Sequence, residues 1–97
     1  MNVAVIGAGS WGTALAQVAA LGGHDVMLWA RRSEVADVVN GQHCNPDYLV
    51  NANLSKRIRA TSLMREAIAD AQAVVAVTPS KYVRQTAEQL RDAGLGA

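Results

Sequence analysis

Three glycines, at positions 7, 9 and 12, form the pattern G-x-G-x-x-G. An apolar run at residues 3–6 precedes them and an alanine- and leucine-rich run at residues 13–21 follows, so they lie between a predicted strand and a predicted helix. In that context Gly7 permits a tight turn, Gly9 lets the backbone approach a pyrophosphate, and Gly12 lets the helix lie close to the sheet. The first-turn N–H groups and the helix dipole favour phosphate charge. The pattern predicts a dinucleotide-binding turn, and a glycine turn of purely structural role is the alternative.

The end of the next predicted strand carries a second chemical signal. A site that prefers NAD places Asp or Glu there, about 20 residues after the glycine turn, to bind the ribose hydroxyls. Here the chain reads Trp29-Ala30-Arg31-Arg32, with two guanidinium groups and no carboxylate. Guanidinium groups form charge-assisted hydrogen bonds with phosphate. We therefore predict that Arg31 and Arg32 accommodate the 2′-phosphate of NADP without excluding NAD, and two solvated arginines at a helix start are the alternative.

The elements that must position these residues alternate along the chain. Strands are expected at residues 3–6, 26–29, 57–61 and 73–77, and helices at residues 13–21, 34–41, 63–69 and 81–91. Ser33 and Ser62 are expected to cap the second and third helices. The order β-α-β-α-β-α-β-α requires a parallel sheet with right-handed crossovers. The predicted fold class is therefore α/β, the first half of a Rossmann-type doubly wound parallel sheet, with strand order 3-2-1-4 and helices on both faces.

Composition narrows the classes of function. The chain has 97 residues, is 51% apolar and carries a net charge of +1, which fits one domain and argues against a nucleic-acid-binding protein. The apolar runs fall far short of the roughly 20 residues of a membrane span, and no signal peptide is recognisable, so a cytoplasmic location is expected. His43 and Cys44 are adjacent, with no further Cys and no suitably spaced His, so no metal site is expected.

Several stretches of the sequence resemble one protein family. They are GAGSWGTALA at residues 7–16, GHDV at 23–26, NPDYL at 45–49, IRAT at 58–61 and AVTPS at 76–80. Together they make the chain similar, over essentially its whole length, to the start of bacterial NAD(P)-dependent glycerol-3-phosphate dehydrogenases. The resemblance implies hydride transfer between NAD(P)H and dihydroxyacetone phosphate, giving sn-glycerol 3-phosphate for phospholipid synthesis. These phosphate substrates would bind only to the complete enzyme.

The same resemblance implies a set of cofactor contacts, in addition to the three glycines: Ser10, Trp11, Arg31, Arg32, Tyr48, Pro79 and Ser80. The first two fall in the pyrophosphate loop and the arginines in the adenosine-phosphate pocket. The tyrosine falls in a loop that folds over the cofactor, and the last two line the nicotinamide side. The family's catalytic lysine lies in a Ser-Lys-Gly segment that these residues lack. We therefore expect residues 1–97 to be a partial N-terminal NAD(P)-binding domain without catalytic residues, inactive by itself.

Two other functions stay open at this point. The chain could be a stand-alone module that senses a dinucleotide without turning it over, or the opening domain of another NAD(P)-dependent dehydrogenase. In addition, the fourth predicted strand is apolar and is expected to leave an unpaired edge. Such edges favour strand addition, so self-association through this strand is expected.

Overall fold

Four strands and four helices alternate in the computed structural model, which describes residues 1–45, 53–77 and 82–94. The strands are β1 (Asn2–Ile6), β2 (Asp25–Trp29), β3 (Ile58–Thr61) and β4 (Ala73–Ala76), and the helices are α1 (Ser10–Leu21), α2 (Ser33–Gln42), α3 (Met64–Ile68) and α4 (Val83–Asp92). The sheet order is β3-β2-β1-β4, and all neighbouring strands are parallel. The predicted fold class and strand order are confirmed.

Helices cover both faces of this sheet, as predicted. On one face α1 and α2 pack against Val5, Leu28 and Ile58. On the other face α3 and α4 pack against Ala4 and Ile6. Successive side chains of a strand point to opposite faces. A central strand covered on both faces is therefore apolar along its buried length, which is why residues 3–6 of β1 form a continuous apolar run.

Gly12 lets α1 pack closely against the end of β1. A Cβ atom built on Gly12 would lie 1.7 Å from the carbonyl oxygen of Gly7, so no side chain fits at that position. The next residues on the same face of α1 are also small: Ala16 is fully buried and Ala20 is almost so. The low side-chain volume along this face lets α1 lie directly on the sheet, as the third glycine predicts.

Two expected helix caps are wrong. Ser33 is the first residue of α2 and Arg32 holds the cap position, without a side-chain capping bond among the described residues. The cap position of α3 is Leu63, and no side-chain cap bond is seen there among the described residues; its own N–H donates to Thr61 Oγ1 at 3.1 Å, in the turn before the helix. A serine, which is favourable at a cap, is also tolerated inside the first turn, so residue type alone does not decide which position it takes.

Several element ends also differ from expectation. α1 begins at Ser10 rather than at residue 13, because the glycine motif itself forms the first turn. α2 continues through Gly41 to Gln42 and ends at His43, whose φ of 55° reverses the chain. β4 ends at Ala76, one residue early. The fourth helix was expected from residue 81, which lies outside the described residues, and it is observed from residue 83.

We predict that Gly12→Ala lowers the free energy of unfolding by roughly 1–3 kcal/mol, the usual cost of overpacking, because backbone must move to admit the methyl group. Gly41→Ala is the matched control: apart from its chain neighbours and the backbone of its own helix, no described atom lies within 4 Å of its Cβ position. Because alanine has a higher helix propensity than glycine, this change near the end of α2 should raise the free energy of unfolding by up to about 1 kcal/mol. Urea unfolding of both variants measures the difference, and equal unfolding midpoints would contradict the packing argument.

Candidate functional site

The carboxyl ends of the inner strands bring the glycine turn and the arginine pair to one edge of the sheet. The Gly7 N–H donates to the Trp29 carbonyl oxygen at 3.1 Å, which joins the first glycine to the last residue of β2. On the other side of β1, the Val77 N–H donates to the Ile6 oxygen at 2.8 Å. The segments that follow β1, β2 and β4 therefore start side by side. Open parallel sheets bind ligands at this edge.

The glycine turn leaves the N-terminus of α1 open to a ligand. Gly7 has a φ of 124°, a backbone conformation that residues with a side chain rarely adopt. Gly9 takes the cap position, and no side chain of the described residues caps the helix there. The first turn has no acidic residue, and both Ser10 and Trp11 are exposed. The free N–H groups and the positive end of the helix dipole therefore fit a phosphate, and nothing in this turn repels one.

A buried amide lies behind the turn. Asn45 is fully buried, and its Nδ2 atom donates to the Ala8 oxygen at 2.8 Å and to Thr13 Oγ1 at 2.9 Å. Thr13 Oγ1 lies 3.4 Å from the same carbonyl oxygen, to which it donates. Sequence reasoning missed this residue because Asn before Pro is an ordinary turn signal. Only the tertiary contact shows that it serves the glycine turn.

Arg31 is held by aromatic rings at the end of β2. The centre of its guanidinium lies 4.1 Å from the Tyr82 ring centroid and 5.6 Å from that of Trp29. Its Nη1 atom lies 3.4 Å from Gln85 Oε1. The Trp29 ring is itself fixed, because it is buried and its Nε1 donates to the Ser62 oxygen at 3.0 Å. Stacking occupies the faces of a guanidinium and leaves its edge donors for an anion.

Arg32, the second predicted phosphate ligand, has different surroundings. Its Nε atom lies 3.9 Å from Glu34 Oε2, and the two side chains are 57% and 73% exposed. Surface ion pairs of this kind contribute between zero and about 1 kcal/mol. Breaking this pair would therefore cost little free energy. The two arginines share one strand end but are oriented by different partners.

Three of the predicted site residues, Tyr48, Pro79 and Ser80, lie outside the described residues. Within the described ranges, no group of His, Cys, Asp and Glu side chains could hold a metal ion. No helix of the part described is long and apolar enough to cross a membrane.

A cleft of about 510 Å³ lies away from this edge, beside the amino ends of β1 and β2. Its lining mixes basic and acidic side chains, among them Lys56, Arg59, Glu66 and Asp70. Charges of both signs on an open surface do not select one ligand class. The glycine turn and the stacked arginine present the more specific chemistry.

Comparison with known proteins identifies the family. A family model described as the N-terminus of NAD-dependent glycerol-3-phosphate dehydrogenase matches residues 2–94. The glycerol-3-phosphate dehydrogenase (NAD(P)+) of Leuconostoc mesenteroides is 52% identical over 91 residues, which are 94% of this chain and 27% of that protein. The enzyme of the same name from Bacillus subtilis is 42% identical over 88 residues, or 91% of this chain and 26% of that protein.

Solved structures agree. The glycerol-3-phosphate dehydrogenase of Coxiella burnetii superposes with a TM-score of 0.87 at 30% identity, covering 94% of this chain and 28% of that one. The yeast enzyme gives a TM-score of 0.85 at 26% identity, covering 93% and 29%. The chain thus spans about a quarter of the length of the relatives it matches. Since the family model matches residues 2–94, nearly the whole chain, the chain belongs to the NAD-dependent glycerol-3-phosphate dehydrogenase family, whose N-terminus it represents.

Proposed function

We propose that this chain is the cofactor-binding part of an oxidoreductase that interconverts dihydroxyacetone phosphate and sn-glycerol 3-phosphate with NAD(P)H, for glycerophospholipid synthesis. The observation that carries the proposal is the open N-terminus of α1 beneath the glycine turn, in a chain whose relatives are named for this activity. Family membership sets aside the opening domain of an unrelated dehydrogenase. The Ser-Lys-Gly segment that carries the catalytic lysine in this family is absent from these residues, so the chain alone is proposed to bind cofactor without activity.

The chain's own residues would bind and orient the dinucleotide. Gly7 and Gly9 shape the turn, Gly12 brings α1 close to it, and the exposed Ser10 and Trp11 flank the pyrophosphate. When bound, the nicotinamide supplies the hydride chemistry.

We assign three further contacts by resemblance alone. Tyr48 is proposed to cover the cofactor, and Pro79 and Ser80 to line its nicotinamide side.

The finer proposal is a preference for NADP. The stacked guanidinium of Arg31 stands where an acidic residue would select NAD, and a second guanidinium, that of Arg32, follows it directly in the chain. An edge donor of a stacked guanidinium needs little further ordering to bind a 2′-phosphate.

A cytoplasmic location is proposed on the ground of cysteine usage. Cys44 is the one cysteine of these 97 residues, so no disulfide can form within them. Disulfides stabilise proteins in oxidising compartments, and these residues do not use that means of stabilisation.

Titration of the isotope-labelled chain with NADPH, followed by amide NMR, tests whether the site binds a dinucleotide. We expect saturable shifts at the amides of Gly9, Gly12 and Arg31. Gly41 and Arg59 lie at neither the turn nor the end of β2, so the chemical shifts of their amides should not change. A folded chain whose spectrum does not change at millimolar NADPH would overturn the proposal for these residues acting alone.

Arg31→Ala tests the phosphate preference. Losing a charge-assisted hydrogen bond of roughly 1.5–3 kcal/mol should weaken NADPH binding by about 10- to 100-fold. NADH, which lacks the 2′-phosphate, should bind nearly as before. Calorimetry or fluorescence titration gives both dissociation constants. Arg59→Ala, which removes an exposed arginine of β3, is the control and should change neither constant. Equal losses for both cofactors in Arg31→Ala would refute the assigned role.

We also infer that β4 pairs with a second copy of the chain. β4 is hydrogen-bonded to β1 on one side, and within the described residues no strand pairs with its other side. Its sequence AVVA carries no charge, and Val75 is 41% exposed. Uncharged exposed edges favour strand addition.

Sedimentation velocity tests this association. We expect the sedimentation coefficient to rise with protein concentration, and Val75→Lys to abolish the rise, because a charge on an edge strand opposes pairing. Lys at exposed Leu63, outside the sheet, is the control and should leave the association intact. A monomer at all concentrations up to millimolar would show the inference to be wrong.

A further inference from the structure

Asn45 makes contacts that packing alone does not require. Its side chain is fully buried, and its amide nitrogen reaches across the sequence to the Ala8 carbonyl oxygen at 2.8 Å. A second bond, to Thr13 Oγ1 at 2.9 Å, fixes the rotation of the amide. Burying an amide costs free energy unless it is hydrogen-bonded, and here the bonds go to the glycine turn and to the first residues of α1.

Because the peptide bond is planar, the contact between Asn45 and the Ala8 carbonyl also sets the direction of the Gly9 N–H. The Ala8 carbonyl and the Gly9 N–H belong to one planar peptide, and no cis peptide occurs among the described residues. In a trans peptide these two groups point in opposite directions. Because Asn45 draws the carbonyl towards the interior, the Gly9 N–H is directed away from it. Gly9 has no side chain, so its free backbone rotation would otherwise let this peptide turn over.

The backbone around Asn45 is anchored independently of its amide. The Leu54 N–H donates to the His43 oxygen at 2.7 Å, two residues before Asn45. The Ser55 N–H donates to Gln17 Oε1 of α1 at 2.8 Å. These bonds hold the neighbouring chain against α1, so a change of the Asn45 side chain removes the donor without releasing the segment.

We propose that Asn45 is a positioning residue of the dinucleotide site: its amide holds the Ala8 carbonyl inward, so that the Gly9 N–H is presented to the pyrophosphate. The inference rests on the proposed dinucleotide function. It assigns Asn45 no contact with the cofactor. The affected part of the ligand is the pyrophosphate, which NADPH and NADH share, and not the 2′-phosphate.

Asn45→Asp keeps the shape of the side chain, replaces the donor with an oxygen and adds a negative charge. Asn45→Ala, which removes the donor without adding a charge, is therefore measured beside it and should weaken the binding of both dinucleotides by a similar factor. We expect NADPH and NADH to bind about tenfold more weakly, by the same factor. Adenosine 2′-monophosphate, which contains the 2′-phosphate and no pyrophosphate, should bind as tightly as it binds to the unmodified chain. In the ligand-free spectrum the Gly9 amide should shift, since its hydrogen-bonding direction is no longer set. Should this variant fail to fold, Asn45→Ala serves with the same expectations.

Asn40→Ala is the matched control. Asn40 also bonds the backbone, through two 2.8 Å bonds to the N–H and oxygen of Ala60, but at β3. Its loss should lower stability and leave the dinucleotide affinities unchanged.

Three outcomes would overturn the inference. If the unmodified chain binds dinucleotides and Asn45→Asp binds them equally well, the positioning role alone is wrong. If Asn45→Asp weakens the binding of adenosine 2′-monophosphate as much as that of the dinucleotides, the residue is a general structural support. If the unmodified chain binds no dinucleotide, the proposed function fails, and the inference with it.

Discussion

The contact on which the site depends is the close approach of α1 to β1. The space that a Cβ of Gly12 would need is occupied by the Gly7 carbonyl oxygen. Because no side chain separates them, the first turn of the helix begins directly at the end of the strand. The N–H groups of that turn then open at the carboxyl edge of the sheet, where Gly9, without a side chain, leaves them uncovered. One steric constraint thus creates both the packing and the exposed helix N-terminus that is proposed to bind the pyrophosphate.

Two further parts of the chain refine this surface. Asn45 reaches the turn from the end of α2 and holds its peptide in one orientation. Tyr82, just before α4, stacks on Arg31 from the other side of the sheet edge. Both contacts use planar groups, an amide and a guanidinium, whose bonding directions are defined once a neighbour fixes the plane. The glycine turn leaves room for a ligand, and these side chains orient the hydrogen-bond donors beside it.

Much of the fold could be predicted from local pattern. The alternation of apolar runs with helical runs predicted the parallel sheet, its order and helices on both faces, and the observed sheet agrees. Boundaries were less predictable. The start of α1 was placed three residues late because glycines have low helix propensity, yet tertiary packing keeps Gly12 helical. The caps at Ser33 and Ser62 were wrong because neighbouring Arg32 and Leu63 take those positions through backbone geometry that residue type does not reveal.

For the site, the same division holds. The three glycines and the arginine pair could be found from spacing, because the chemistry needs those residue types at those separations within one β-α-β unit. The roles of Asn45 and Tyr82 could not, since each acts on a residue 37 or 51 positions away, and only the sheet brings them together. Residue types thus predicted which ligand the edge could hold. The tertiary structure decided how its donors are aimed, because hydrogen bonds and ring stacking depend on distances that sequence separation does not encode.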